Sequence, residues 1–302
     1  MNAFKPGQLV RHDGHAEWGL GRILMIDGQK AHAFFLNQPG NAAILFQTKD
    51  DGSPLKLAPE QSDPWLDNLP PFGMKDGRLR LSQVRLTKAQ AMEKFCRRFP
   101  LGFRDETYLT DPKHGERQNK WQAHELFLEL LGNGEAARLL AAESIDELAR
   151  RVFVVAISTN LLHPSWDKAP LKDALKSSDA LRPYLSALVD VVTADKPNQA
   201  TFDAHVAALE KLPQPGTPVA SWPGATIIPY LAQPDRHMLL RPSVTQHAAE
   251  RFGIELNYVP RPNWRTYSSL LGMAAQLFKD LKPHGARDYI DVQSFIWVIG
   301  QP

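Results

Sequence analysis

From Phe4 to Phe46 the apolar residues come in four short runs, with polar residues and Gly, Asp, Asn or Pro between them. The runs are Leu9-Val10 within Phe4 to His12, Trp18 and Leu20 to Leu24, Ala31 to Leu36, and Ala43 to Phe46. Strand-like runs so closely spaced predict a small β-barrel. Asp27-Gly28 predicts a tight hairpin, since Gly accepts the positive φ that such turns need. Gly19 and Gly21 fit a bend or a close backbone approach, and Leu55 to Leu57 offers a closing strand. From Thr48 to Gly77 the chain is rich in Pro, Gly and Asp, with Trp65, Leu66 and Leu69 between the prolines and Phe72 directly after them. That composition marks a boundary that packs on something.

From Thr87 the apolar period becomes helical. Thr87-x-x-Gln90 is a capping-box pattern leading into Ala91 and Phe95. Trp121, His124, Leu128 and Leu131 recur at helical spacing until Asn133-Gly134, and Ser144-x-x-Glu147 predicts the next start. Leu181 to Val192 and Phe202 to Leu212 complete a bundle of five or six helices. Six prolines from Pro213 to Pro234 preclude long helices there, and Thr226 to Ile228 with Met238 to Leu240 reads as a short hairpin. Beyond it, Ser243-x-x-Gln246 predicts a helix cap, Glu255 to Val259 a strand, and Asn263 a cap for a helix from Trp264 to Leu281. Tyr289 to Ile299 closes the chain. The expected fold is α+β. An SH3/Tudor-like barrel spans 1–60, a linker packing on the body spans 61–86, and a helical domain spans 87–302. The hairpin lies near the C-terminus, with 213–302 as a candidate subdomain.

The order Pro6-Gly7-x-x-Val10-Arg11-His12, Trp18-Gly19-x-Gly21-x-Ile23, an aromatic strand and Pro39-Gly40 resembles the Tudor/SH3-like module at the C-terminal end of UvrD/PcrA-type helicases. More loosely, it is similar to the polymerase-interacting domain of CarD-type regulators. The resemblance covers residues 4–46 and implies a protein partner, RNA polymerase or a helicase. The stretch from Trp222-Pro223 to Trp297 loosely resembles uncharacterised bacterial proteins of restriction and phage defence, and no residue role follows from that.

Charge sharpens the picture. The chain of 302 residues has a net charge of +2, but its halves of the boundary differ. Residues 1–74 hold six Lys/Arg against eight Asp/Glu, a net of −2, and residues 75–104 hold nine against two, a net of +7. A barrel gripping phosphates needs surplus cations, because backbone neutralisation dominates such affinity. The barrel's candidate contacts, Trp18, Arg22, His32 and Phe34, are therefore assigned to a protein partner, with Trp18 also readable as a core ring. The basic stretch, through Arg78, Arg80, Arg97 and Arg98, is the candidate for DNA or RNA. Arg261, Trp264 and Arg265 mix cations with an aromatic ring in a way that suits stacked bases, or else form an ordinary helix start.

Candidate chemistry is sparse. With Cys96 the sole cysteine, no intrachain disulfide or cysteine-rich zinc site can form. His12-x-x-His15 reads as a polar turn rather than a ligand pair, and no nucleotide-binding loop or nucleophile elbow occurs. Cys96 beside Arg97-Arg98 has no evident partner base, and Asp288 with Asp291 reads as a helix start. No catalytic residue, metal or cofactor is expected. Without a leader-like apolar segment or a membrane span, a soluble cytoplasmic protein is expected. The function that fits is a non-enzymatic adaptor of bacterial nucleic-acid transactions. Direct nucleic-acid binding, or an enzyme whose site escapes motif reading, are the alternatives.

Overall fold

Short β-prone runs separated by turn residues pair with their neighbours in sequence, and the first part of the chain does so. The computed structural model describes residues 4–38, 42–48, 53–63, 66–67, 69, 72–75, 78–81, 86–176, 178–214 and 216–301. Strands β1 (Leu9–His12), β2 (Gly21–Asp27), β3 (Lys30–Phe35), β4 (Ile44–Gln47) and β5 (Leu55–Leu57) form one antiparallel sheet in the order β4-β3-β2-β1-β5. A second hairpin follows, β6 (Phe72–Lys75) with β7 (Arg78–Leu81), joined to the start of β4 by an Ala42–Arg80 bridge.

One sheet face holds Val10, Ile23, Ala31, Ala33, Phe35, Phe46 and Leu55 as a small core. Gly21 is required in β2, because a Cβ there would meet the Phe35 ring at 2.4 Å. The opposite face is covered at one end, where Leu9, Leu20 and Phe34 pack with Leu66 and with Leu69 and Phe72.

The chain divides into two compact units, residues 1–85 and 86–301. The second is helical: α1 (Lys88–Arg98), α2 (Glu106–Thr110), α3 (Gln118–Leu131), α4 (Glu135–Ala141), α5 (Ile145–Ile157), α6 (Ala169–Ala174), α7 (Leu181–Thr193), α8 (Gln199–Lys211), α9 (Trp222–Ala232), α10 (Pro242–Phe252), α11 (Trp264–Leu281) and α12 (Tyr289–Gly300). Their apolar faces share one continuous core. The Thr87/Gln90 capping box forms as its pattern requires, and Asn263 and Asp288 cap α11 and α12 through Thr266 N and through Ile290 N and Asp291 N.

Five expectations need correction. The five strands do not close: among the described residues nothing hydrogen-bonds β4 to β5, and the fold of the first unit is an open sheet. Among the described residues no hairpin lies near the C-terminus. It lies at 72–81, inside the stretch read as a linker. Thr226 to Ile228 sits instead within α9, started by the Ser221 side chain with Pro223 in its first turn, where the missing N–H costs nothing. Met238 to Leu240 forms no strand and lies beside it, Leu240 N donating to Thr226 Oγ1 at 3.1 Å. Glu255 to Val259 is likewise no strand. Ser144 begins α5 without a side-chain cap, and α10 begins at Pro242 rather than after Ser243.

Pro229, inside α9, leaves the Ala225 carbonyl without its helical donor. The buried His205 ring fills that gap, its Nε2 lying 3.2 Å from the oxygen.

Candidate docking site on the N-terminal sheet

The register of β2 against β3 slips between Ile23 and Met25, a bulge that breaks strict alternation. Ile23 stays with the inner core, whereas Leu24 joins the outer cluster around Phe34. Met25 is set opposite His32, and His32 is opposite Leu45. A cross-strand row thus runs over β2, β3 and β4 on the outer face. Met25 is 40% and Leu45 47% exposed, with the half-buried His32 ring between them. The covering segment around Leu66 and Phe72 packs instead on Phe34, leaving the row open.

The row ends at β4, the last strand of the sheet among the described residues. Thr48 N donates inward to Gln29 O at 2.8 Å, and Ala43 N donates outward to Leu79 O at 2.7 Å. Alternation along β4 then turns the peptide groups of Leu45 and Gln47 outward, past the point where β7 stops. The same register carries Leu79 and its partner Met74, 67% exposed, onto the face of Leu45. It puts Arg78 and Arg80 on the other face.

Trp18, Arg22 and Phe34 occupy internal roles. Trp18 is half-buried at the sheet's end, packed on Phe35 and stacked flat on His15 at 4.0 Å. Burial and the neighbouring His15 lower the His12 pKa in the same ring group. Arg22 donates to Leu66 O at 2.9 Å and pairs with Asp67. Hydrogen bonds from the Ser62 hydroxyl, the Asp63 N–H and Arg22 hold that carboxyl below the usual range. Phe34 is buried against Phe72. Of the four, His32 alone lies in the open row.

The body's candidates are engaged locally. Arg97 pairs with Glu93 and Arg98 with Glu116, Arg261 forks onto Glu210 at 2.6 and 2.7 Å, and Arg265 donates to Asn257 Oδ1. Trp264 packs on Phe202 and Tyr267. The basic stretch is also divided, with Arg78 and Arg80 in the first unit and Arg97 and Arg98 in the second. Burial pushes the Cys96 thiol up, against a thiolate.

Sequence reading named Asp288 and Asp291 as a helix start but not the buried ionic cluster they form with Arg117 and Tyr108 between α2, α3 and α12. Arg117 donates to both oxygens of Asp288 at 2.9 and 2.7 Å and to Asp291 Oδ1 at 2.8 Å. Tyr108 also donates to Asp291 Oδ1, at 2.5 Å, and the Arg287 N–H and Nε donate to its other oxygen. Burial opposes the Arg117 charge, but the hydrogen bonds and charges of Asp288 and Asp291 outweigh it and hold the guanidinium ionised. Burial, then the Asp291 charge, pushes the Tyr108 hydroxyl well up. Asp291, fully buried and accepting four hydrogen bonds, has no lone pair left for a substrate proton. Two recesses in the body, one walled by Phe127, Val152 and Ile228, the other by Leu162, Trp166 and Val219, hold about 10 Å³ each, room for at most one water. The cluster therefore serves packing. No group of three or more metal-ligating side chains occurs among the described residues.

No protein-family model, curated protein or solved structure matches the chain. No helix among the described residues is long and apolar enough to cross a membrane.

Proposed function

We propose that the chain is a non-enzymatic adaptor whose N-terminal sheet docks on a protein. The observation that carries this reading is the exposed Met25–His32–Leu45 row ending at the open edge of β4. An edge strand with free peptide groups accepts an added strand through main-chain hydrogen bonds, and side chains beside it select the sequence. Methionine suits such a surface because its unbranched chain adapts to different partners. The small-barrel resemblance and the strand order, in which β5 returns to the outer side of β1, support the same reading. By that resemblance the partner is bacterial RNA polymerase or a helicase, and the finer SH3/Tudor-like assignment belongs to the same proposal. The local pairing of Arg97, Arg98 and Arg261 favours it over direct nucleic-acid binding by the body.

The test measures binding of the full chain to purified bacterial RNA polymerase and to a purified UvrD-type helicase, after nuclease treatment. Leu45→Asp is expected to weaken the complex about ten-fold or more, as loss of a central apolar contact does. Salt-sensitive binding to DNA alone, with neither protein retained, overturns the proposal.

A further inference from the structure

Two cations flank the open edge of β4. Arg78 is exposed and Arg80 half-buried, and no carboxylate of the described residues pairs with either. The Arg80 Nε is buried without a hydrogen-bond partner, a costly condition for a charged donor that an incoming acceptor relieves. Both arginines lie on one face of β7 by strand alternation, and Leu79 and Met74 lie on the other. By this register Arg78, the first residue of β7, comes opposite Ile44, and among the described residues no strand pairs with β4 at Leu45 and Gln47 on that side.

We infer that the segment docking on β4 is an extended acidic peptide of a partner protein, with alternating apolar and carboxylate side chains. Resting on the docking reading above, this adds the chemistry of the partner. Apolar side chains of the added strand fall on the Met25, Leu45 and Met74 face. Its carboxylates fall on the opposite face, toward the Arg78 and Arg80 guanidinium groups. Guanidinium takes a carboxylate in a forked, two-bond geometry, which gives selectivity as well as attraction. An extended segment carrying both kinds of side chain satisfies together the apolar row, the outward peptide groups of β4 and the two arginines that no described carboxylate pairs. Nucleic acid satisfies the cations alone.

The test selects a phage-displayed random octapeptide library on the immobilised full chain, in parallel with Leu45→Asp and Arg78→Glu variants. Both positions are exposed, so the fold tolerates them, and circular dichroism checks that it does. The expected result is enrichment of alternating apolar and Asp/Glu residues that disappears with Leu45→Asp. Arg78→Glu is expected to remove the acidic bias or turn it to Lys/Arg. Enriched peptides that need Leu45 but show no acidic bias overturn the inference and leave edge docking standing. Enrichment indifferent to Leu45, or none while a single-stranded oligonucleotide binds through Arg78, overturns both.

Discussion

In the helical body Arg117, Lys120, Asp291, His205 and Thr226 are buried, each with a hydrogen-bond partner. In the sheet unit the ion pairs Arg11–Glu60 and Lys56–Asp13 lie at the surface, and Met25, Leu45, Leu57 and Met74 face water. The body exposes large apolar side chains too, among them Trp121 and Trp166, but it has 216 residues against 85. A buried, fully bonded charge fixes one arrangement of its neighbours, since any other leaves it unpaired. An exposed cluster of apolar side chains contributes little to its own fold and is available to a partner. Under the proposed reading, the polar interior of one unit serves stability and the apolar exterior of the other serves recognition.

The sharpest way to break this contrast is Arg117→Met. It removes the cation while Asp291 stays fully buried and Asp288 nearly so. Asp288 then loses its charge partner, while Asp291 keeps Arg287 and the Tyr108 hydroxyl. Removing one partner of a buried ion pair costs about 3–5 kcal/mol, and urea unfolding is expected to show a loss of that order. A loss below about 1 kcal/mol shows that the cluster is no keystone. The triple replacement of Arg117, Asp288 and Asp291 by apolar residues is expected to recover only part of it, because the desolvation penalty then disappears but the Asp288 cap and the Asp291 acceptor of Tyr108 and Arg287 are lost.

Legibility in the sequence followed the same division. Caps at Thr87, Asn263 and Asp288 were readable because each satisfies neighbouring N–H groups within three residues. The α3 helix was readable, but its inward face was not: Lys120, Ala123 and Phe127 are buried, while Trp121 and Leu128 are exposed. A stripe chosen by hydrophobicity alone overlooks a lysine that Glu116 holds in the interior. Helix α9 defeated periodicity, since ten of its eleven residues are buried and its β-branched Thr226, Ile227 and Ile228 mimic a strand. On the sheet, sequence reading named His32, which lies in the exposed cross-strand row, and did not name Met25 beside it. Alternation puts Met25 on the inner face with Ile23, and the bulge that moves it out leaves no mark in the sequence.

The buried histidines sharpen the contrast through pH. Burial lowers His205 and His237 to about 4. His205 faces Tyr184 and the Ala225 carbonyl, and His237 faces Tyr267, Asp235 and Arg236. His205 Nδ1 and His237 Nε2 have no hydrogen-bond partner. In the unfolded chain both rings take up a proton near pH 6.5. The folded state therefore binds fewer protons between there and about 4, and stability falls as pH drops through that window. The loss is roughly 3 kcal/mol per ring by pH 4. Urea midpoints of His237→Phe against the parent chain, from pH 7 down to 4.5, are expected to show a shallower decline in the variant. Equal slopes eliminate His237 as a source of acid sensitivity.

The smallest expected effect bears most directly on the sheet. If Leu45 is a contact held ready for a partner, Leu45→Asp removes almost nothing from the fold of the free chain. Its side chain is 47% exposed and packs in neither core of the unit. Substitutions at such positions stay within about 0.5 kcal/mol. The inner neighbour Phe46 gives the comparison, being buried one residue along the same strand. Phe46→Ala is expected to cost about 3–5 kcal/mol through lost burial and the cavity left behind. Urea unfolding of the two variants, read beside their binding, separates the roles. Leu45→Asp should lose the partner and keep the fold, and Phe46→Ala should lose both. If Leu45→Asp destabilises the free chain as much as Phe46→Ala does, Leu45 is a core residue and the outer row is not a docking surface.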